Sequence, residues 1–216
     1  MLQICLDGPA GSGKSTLAKA IAKALDITYL DTGAMYRAYT YFCLEHNADP
    51  QNRIAVESLL QNFSLQMEKE NVRVNGKLVN DAIRTERISK NVSAVSSYGS
   101  VREAMVALQR DIANNQPIVM DGRDIGTVVL PNAQWKFFIV ASPEERAKRR
   151  YEEQLSKGLD VSYETILEDM KLRDHLDSTR EIAPLKPAAD AIHIDTTALT
   201  IIQVVEKILS YVKGQP

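Results

Sequence analysis

The residue types best suited to chemistry begin at position 8, where the chain reads Gly-Pro-Ala-Gly-Ser-Gly-Lys-Ser. This run matches the pattern Gly-x-x-x-x-Gly-Lys-Ser/Thr and lies between an apolar segment and a helical one, as in loops that bind nucleoside triphosphates. Its glycines let backbone N–H groups close around phosphates, and the following helix adds partial positive charge. We predict that ATP binds to Gly8, Pro9, Ala10, Gly11, Ser12, Gly13, Lys14, Ser15 and Thr16.

Two side chains of this loop would act on the phosphates directly. Lys14 is predicted to reach the transferred phosphate and to be catalytic, and Ser15 is predicted to bind Mg²⁺. We expect Lys14 to be an exposed charge that contributes little to packing. A chance glycine-rich turn before a helix is the alternative, but it does not explain why strand, loop, Lys-Ser and helix occur together.

A second chemical group is Asp121-Gly122-Arg123-Asp124, which directly follows the apolar run 118–120. Ligands of open α/β sheets bind at the carboxyl ends of the strands, so this group should lie near the phosphate loop. An acid at that point orders Mg²⁺, and Asp121 is therefore predicted to be catalytic and metal-binding. Arg123 and Asp124 would project toward an acceptor, and Arg123 is also predicted to be catalytic. A solvated acidic turn is the alternative.

A third group, Asp31-Thr32-Gly33-Ala34-Met35-Tyr36-Arg37, follows another apolar run. It places a hydroxyl, a glycine and an arginine at the carboxyl end of a strand. A strand end followed by a helix cap explains Thr32 and Gly33 but not Arg37. We therefore expect this group to take part in ligand binding.

Short apolar runs that alternate with segments of helical period would position these groups. Five runs, at 2–7, 28–31, 117–121, 136–141 and 191–195, are almost continuously apolar. Strands of this kind belong to parallel sheets that helices cover on both faces. The sequence therefore predicts an α/β fold with a five-stranded parallel sheet.

Helix signals lie between these runs. Capping boxes at 142–145 and 200–203 predict two helix starts. The second helix should bury one apolar face, formed by Ile201, Val204, Val205, Ile208, Leu209 and Val212. One long helix is predicted over about 86–114.

Residues 63–84 break the alternation, since their apolar residues recur with period two around Asn75-Gly76. Asn-Gly favours a hairpin because both residues tolerate positive φ. We predict a small antiparallel β insert that packs mainly on itself.

The composition limits the partners of the chain. The 26 Lys and Arg residues against 28 Asp and Glu residues give a net charge of −2, which provides no basic field for nucleic acid or an anionic membrane. Two cysteines are too few for a disulfide framework. The N-terminus lacks a signal-peptide pattern, and no apolar run reaches about 18 residues. We expect a cytoplasmic monomer that binds neither nucleic acid nor membrane.

Several functions share a phosphate loop. The Asn-Lys-x-Asp segment of GTPases does not occur in the chain, and larger ATPases carry additional signatures. A small kinase therefore fits best. A kinase of another small acceptor, such as shikimate, and a non-catalytic nucleotide-binding module are the alternatives.

The motifs together resemble the bacterial cytidylate kinase family over nearly the full length. Besides the three groups above, Val-Arg-Glu-Ala at 101–104 and Ala-Pro-Leu-x-Pro-Ala-Ala-Asp at 183–190 occur in family order. The resemblance implies transfer of the γ-phosphoryl group of ATP, with Mg²⁺, to CMP or dCMP. It also implies a P-loop kinase fold with a CMP-binding insert and a helical lid.

The resemblance implies substrate-binding roles at matching positions. Arg37, Arg123 and Arg180 would bind the CMP phosphate. Ser93, Arg102 and Asp124 would read the cytosine edge, while Arg173 and Asp177 would hold the ribose. Thr32, where relatives often have serine, would also contact the substrate through its hydroxyl group.

The predicted domains follow from the same resemblance. Residues 1–62, 85–148 and 175–216 would form the core, 63–84 the CMP-binding insert and 149–174 the lid. Arg146, Arg149 and Arg150 share one helical face by their spacing. We assign Arg149 as the catalytic lid arginine, and a solvated basic face is the alternative.

Overall fold

The computed structural model describes residues 1–68 and 71–214 of the chain. The strands of this part are β1 (Gln3–Asp7), β2 (Thr28–Asp31), β3 (Leu65–Glu68), β4 (Asn71–Val74), β5 (Lys77–Leu78), β6 (Ile118–Gly122), β7 (Trp135–Val140) and β8 (Ile192–Asp195). The α-helices are α1 (Lys14–Leu25), α2 (Thr32–Glu45), α3 (Arg53–Ser58), α4 (Glu86–Val95), α5 (Gly99–Asn114), α6 (Pro143–Ser156), α7 (Tyr163–Thr179) and α8 (Ile201–Val212).

Five strands form a parallel sheet in the order β2-β6-β1-β7-β8. All five are strands that the sequence predicted, and each end lies within one residue of its predicted position. The order places β1 in the centre, with β6 on one side and β7 on the other. The phosphate loop therefore leaves the middle of the sheet, beside the end of β6.

Helices cover both faces of this sheet. Ile4 and Leu6 point to one face and pack with residues of α1 and α8, such as Ile21 and Ile208. Cys5 points to the other face and packs with residues of α2 and α5. This two-sided burial is why the strands are almost continuously apolar.

Two helix predictions need correction in detail. The capping box at Thr200–Gln203 is complete, but at 142–145 only the Ser142 side chain caps the backbone, because the Glu145 carboxylate binds Arg149 instead. The apolar face of α8 is buried at Val204 and Ile208, whereas Ile201 is 49% exposed. Ile201 stands in the first turn of α8 and lines the large cavity described below.

The insert is a three-stranded antiparallel sheet in the order β3-β4-β5. The predicted turn joins β4 to β5, with φ angles of 47° at Asn75 and 80° at Gly76. The prediction that the insert packs mainly on itself is wrong. Val72, Val74 and Val79 are buried in the same cluster as residues of α2. The insert is therefore part of the main core.

The predicted helix over 86–114 is two helices, α4 and α5, separated at residues 96–98. The hydroxyl groups of Ser96 and Ser97 donate hydrogen bonds to the backbone carbonyls of Ser93 and Ala94, at 3.2 and 2.7 Å. Such local bonds compete with helix continuation. Tyr98 then adopts an extended conformation before α5 begins.

The helices α6 and α7 pack against each other, with the rings of Tyr151 and Tyr163 6.2 Å apart. Their assignment as a lid over 149–174 stays a prediction. Among the described helices, none is long and apolar enough to cross a membrane.

Candidate active site

The phosphate loop runs from the end of β1 into α1 and lies directly on the backbone of β7. A Cβ atom at Gly8 would stand 2.0 Å from the carbonyl oxygen of Ile139, so only glycine fits there. Gly13 precedes α1 with a φ of 88°, a conformation that also favours glycine. The two glycines thus allow the backbone path at the start and at the end of the loop.

Lys14 is buried, which corrects the expectation of an exposed charge: only 4% of its surface is accessible. Its Nζ atom donates to the carbonyl of Pro9 at 2.6 Å and lies 3.2 Å from Ser12 Oγ. Burial, followed by the positive charge of Arg123, lowers the pKa of Lys14. An anion next to Nζ would offset both effects.

Ser15 and Asp121 meet at the start of α1. Ser15 Oγ donates to Asp121 Oδ2 at 2.8 Å, and Tyr29 donates to the other carboxylate oxygen at 2.8 Å. Thr32 Oγ1 donates to the backbone carbonyl of Asp121 at 2.6 Å. Burial, and then the Asp31 carboxylate, raise the pKa of Asp121. A nearby cation would favour its ionised form.

Arg102 and Asp124 form a buried ion pair deeper in the protein. Arg180 Nη2 lies 3.6 Å from the other oxygen of Asp124. The guanidinium of Arg102 also lies over the ring of Tyr36, at 5.5 Å from its centroid. The Asp124 carboxylate thus lies between two arginines, and its oxygens can also accept hydrogen bonds from a ligand.

Arg123 pairs with Asp177, at 2.8 Å between Nε and Oδ2. Burial opposes the charge of Arg123, but the Asp177 carboxylate outweighs it and the pKa of Arg123 is raised. Arg173 lies beside them, and burial, followed by the charge of Arg123, lowers its pKa to about 10. Its Nε atom is buried and has no hydrogen-bond partner among the described residues. These arginines therefore have donors available for an anion.

Asp31 organises the end of β2. It caps α2 through the N–H of Ala34 at 2.7 Å and pairs with Arg37 at 2.9 Å. A Cβ atom at Gly33 would approach Arg37 Nη1 to 2.9 Å, so glycine leaves room for the arginine. Arg37 is thereby held beside the cavity.

The helix α6 contributes two arginines with different positions. Arg146 is 2% exposed and donates to the carbonyls of Ala10 and Ala141, both at 2.9 Å. It also pairs with Asp174 of α7 through both terminal nitrogens, at 3.2 and 2.5 Å. Arg149 is half-buried and bonds to Glu145 and to the carbonyl of Thr196. The predicted shared basic face is therefore split, since Arg146 points into the protein.

One cavity of about 850 Å³ joins these groups. Of the predicted site residues, all line it except Gly8, which lies against Ile139, and Pro9, whose carbonyl binds Lys14. The residues brought together are Ala10, Gly11, Ser12, Gly13, Lys14, Ser15, Thr16, Thr32, Arg37, Ser93, Arg102, Asp121, Arg123, Asp124, Arg149, Arg173, Asp177 and Arg180.

The sequence predicted no role for Tyr36 or Asp7, and for Arg146 only a place on the basic face of a helix. Tyr36 faces Arg102, Arg146 contacts the phosphate loop, and Asp7 bonds to the segment after Asp124. The sequence contains one feature that could have identified Asp7: it is an acid at the end of an apolar run, directly before Gly8. The sequence offers no comparable signal for the partners of Arg146.

A parallel sheet, a phosphate loop after its central strand and a Ser15–Asp121 pair beside that loop define a P-loop nucleotide-binding protein. The cytidylate kinase family model matches residues 4–214, and the chain belongs to the cytidylate kinase family.

Curated relatives agree over almost their whole length. The cytidylate kinase of Alkaliphilus oremlandii is 52% identical over 213 residues, covering 99% of this chain and 98% of the relative. The cytidylate kinases of Halalkalibacterium halodurans and Bacillus subtilis are each 50% identical over 216 residues. Each alignment covers 98% of this chain, and 97% and 96% of the respective relatives.

Solved structures share the fold. An uncharacterised protein from Eubacterium ventriosum has a TM-score of 0.52 at 15% identity, with 99% of each chain covered. A shikimate kinase from Bacteroides thetaiotaomicron has a TM-score of 0.50 at 15% identity, with 99% of this chain and 98% of that chain covered. At this identity the likeness shows the fold alone.

Proposed function

We propose that this protein transfers the γ-phosphoryl group of ATP to CMP or dCMP, giving ADP and CDP or dCDP. The observation that carries the proposal is the single cavity with a phosphate loop at one end and arginines with Asp124 at the other. Two ligands bound at these ends would meet between Lys14 and Arg123. Membership of the cytidylate kinase family supports CMP as the acceptor.

The donor end suits a magnesium nucleotide. The oxygen atoms of Ser15 and Asp121 lie 2.8 Å apart, and hard oxygen ligands of this kind suit Mg²⁺ together with phosphates. When bound, Mg²⁺ would neutralise charge on the phosphates. Lys14 needs only to exchange the carbonyl of Pro9 for a phosphate oxygen. We therefore assign Ser15 and Asp121 to the metal and Lys14 to the transferred group.

The acceptor end suits a nucleoside monophosphate. Arg37, Arg123 and Arg180 supply donors for the CMP phosphate, and charge-assisted hydrogen bonds of this kind are strong. Arg173 and Asp177 stand beside them and would hold the ribose. A phosphate bound by these arginines would lie on the side of the cavity that faces Lys14, and in-line transfer needs mainly positioning and charge compensation.

The base would be read by Asp124, Arg102 and Ser93. Cytosine carries an N4 amino donor, and a carboxylate is suited to accept from it. Arg102 holds one side of Asp124, so the orientation of the carboxylate is fixed. Ser93 lines the same cavity from α4, one turn before the break that separates α4 from α5.

Arg149 is proposed to act on the transferred group as part of a lid, residues 149–174, that closes over the nucleotides. Its bonds to Glu145 and Thr196 keep it at the cavity wall. The helices α6 and α7 also contact the phosphate loop through Arg146 and through Met170, whose Cε lies near Gly11. Movement of these helices would therefore reach the loop directly.

A coupled assay of ADP release tests the proposal. With ATP and Mg²⁺, the protein should turn over CMP and dCMP with much higher kcat/KM than UMP, AMP or shikimate. A preference for shikimate would identify a kinase of another acceptor. ATP binding without turnover of any acceptor would identify a nucleotide-binding module. Light scattering would test the accompanying expectation of a monomer.

A further inference from the structure

Asp7 is a buried carboxylate between the two ends of the cavity, although it lines neither. It is the last residue of the central strand β1 and directly precedes Gly8 of the phosphate loop. The residue is 4% exposed. The roles assigned above do not use it, and burying an ionised carboxylate is costly unless its oxygens are satisfied.

Both carboxylate oxygens accept hydrogen bonds from the segment after β6. The N–H of Ile125 donates to Oδ1 at 2.8 Å, and the N–H of Gly126 donates to Oδ2 at 2.7 Å. These two residues directly follow Asp124. The bonds therefore fix the backbone on which the proposed base reader stands.

Gly126 allows this close approach. A Cβ atom at this position would lie 3.3 Å from Asp7 Oδ2 and 3.1 Å from the Lys136 side chain. Both distances are tight for a real Cβ contact, so a larger residue would push the segment away from Asp7. The hydrogen bond between the Gly126 N–H and Asp7 thus depends on the missing side chain at position 126.

The charges around Asp7 link both ends of the cavity. The Asp7 carboxylate interacts electrostatically with Asp124 and with Lys14 of the phosphate loop. Bonds to the backbone N–H groups fix the segment after Asp124 more directly than these charges do. A shift of Asp7 would therefore be transmitted to Asp124 and Arg123.

We propose that Asp7 is a positioning residue for acceptor recognition: it ties the start of the phosphate loop to the segment that carries Arg123 and Asp124. The inference rests on the proposed function, because it assigns base reading to Asp124. In this proposal Asp7 holds Asp124 in position, and Asp124 contacts the substrate.

The Asp7→Asn variant tests this inference. Asparagine keeps the shape but can accept only through one side-chain atom, so one N–H of the segment then faces an amide NH₂ group. We expect the KM for CMP to rise about 10-fold or more and the preference for CMP over UMP in kcat/KM to fall by about the same factor, because small misplacements weaken directed contacts steeply. The KM for ATP should change less than about 3-fold, since the loop is also held by its own bonds from Ser12 Oγ and Lys14 Nζ to the carbonyl of Pro9.

Two further variants separate positioning from loss of stability. Gly126→Ala should disturb the same contact from the other side and give the same pattern, even if Asp7→Asn does not fold. Ile208→Ala is the control, since Ile208 of α8 is fully buried and does not line the cavity. It should lower the melting temperature without changing the CMP/UMP preference.

The outcomes are distinct. If the wild type turns over CMP but both Asp7→Asn and Gly126→Ala keep its CMP/UMP preference, the inference is overturned and the proposed function stands. Equal rises in the KM values for ATP and CMP would also overturn it, because Asp7 would then support the whole loop. A wild type that does not phosphorylate CMP would overturn both.

Discussion

Ser15 Oγ donates a hydrogen bond of 2.8 Å to Asp121 Oδ2, although 106 positions separate the two residues in the chain. The bond exists because β1 and β6 are neighbours, so that the loop after one strand meets the acid that ends the other. It places the proposed metal ligands within hydrogen-bond distance of each other. The chemistry of the donor end thus depends on strand order as much as on the loop motif.

Lys14→Ala should reduce kcat by about 100-fold or more, since removal of a single donor that stabilises developing charge typically costs this much. The fold should survive, because removal of Lys14 takes away a charge that burial already disfavours. Steady-state kinetics and circular dichroism check both parts. Lys23→Ala, on the exposed side of α1, is the matched control. Turnover near the wild-type rate would disprove the role of Lys14.

Asp124→Asn should erode the preference for CMP over UMP. Against uracil, the Asp124 carboxylate would face a carbonyl, which costs about 1 to 3 kcal/mol or more for unpaired groups. This corresponds to a discrimination of about 10-fold to a few hundred-fold in kcat/KM. An amide can donate to the uracil carbonyl or accept from the cytosine amino group, so the variant should lose most of this discrimination.

The kcat/KM values for CMP and UMP in wild type and Asp124→Asn decide this point. Asp190→Asn is the control, because it removes a carboxylate that pairs with Lys136 outside the cavity. Equal losses for both substrates in Asp124→Asn would show an aspartate that only holds Arg102 and Arg180.

Arg146→Met should destabilise the protein by about 3 to 5 kcal/mol, because it leaves Asp174 and two backbone carbonyls without their buried partner. Arg150→Met on the same helix should cost at most about 1 kcal/mol, since the pair with Glu153 is largely exposed. Urea denaturation of both variants measures the difference. Similar losses would mean that Arg146 contributes no more than a surface residue.

Deletion of residues 64–82 should abolish stable folding. The deletion removes Val72, Val74 and Val79 from the main core. Three buried valines contribute roughly 5 kcal/mol or more to the free energy of unfolding. That is comparable with the whole stability of many domains. Thermal denaturation checks the result, and a deletion variant that melts like the wild type would show an independent insert.

Within the insert, Val72→Ala and Leu78→Ala form a matched pair of point variants. Val72 is buried against α2, whereas Leu78 is 49% exposed. We expect a loss of about 1 to 3 kcal/mol for Val72→Ala and a much smaller one for Leu78→Ala. Equal effects would contradict the shared core.

The pH dependence of stability should report on Asp7. Burial raises the pKa of Asp7 from 3.8 to about 6, so the folded protein holds this proton more tightly than the unfolded chain. The resulting stabilisation is present below pH 3.8 and is lost as the pH rises from 3.8 through about 6. The gap corresponds to about 3 kcal/mol.

Urea denaturation of wild type and Asp7→Asn between pH 4.5 and 7.5 isolates this effect, because other carboxylates titrate in both proteins. The stability of the wild type relative to the variant should fall with rising pH in this range. Parallel curves for the two proteins would mean that Asp7 titrates near its ordinary pKa.

The sequence alone determined the features that depend on neighbouring residues. The phosphate loop, the five strands and the Asn75-Gly76 turn were predicted at the positions where they occur, because glycine, apolar runs and turn residues act on the local backbone. The motifs also indicated which polar residues would meet in one cavity. The roles of those residues in ATP and CMP binding stay predictions.

Only the tertiary structure decided which buried polar groups are partners. Asp7 reaches Ile125 across 118 positions, and Arg146 reaches Ala10 across 136. Local periodicity does not encode such pairs, because they depend on the order β2-β6-β1-β7-β8 and on the packing of α6 over the loop. The burial of Lys14 and of the insert has the same origin: each depends on distant elements that close over it.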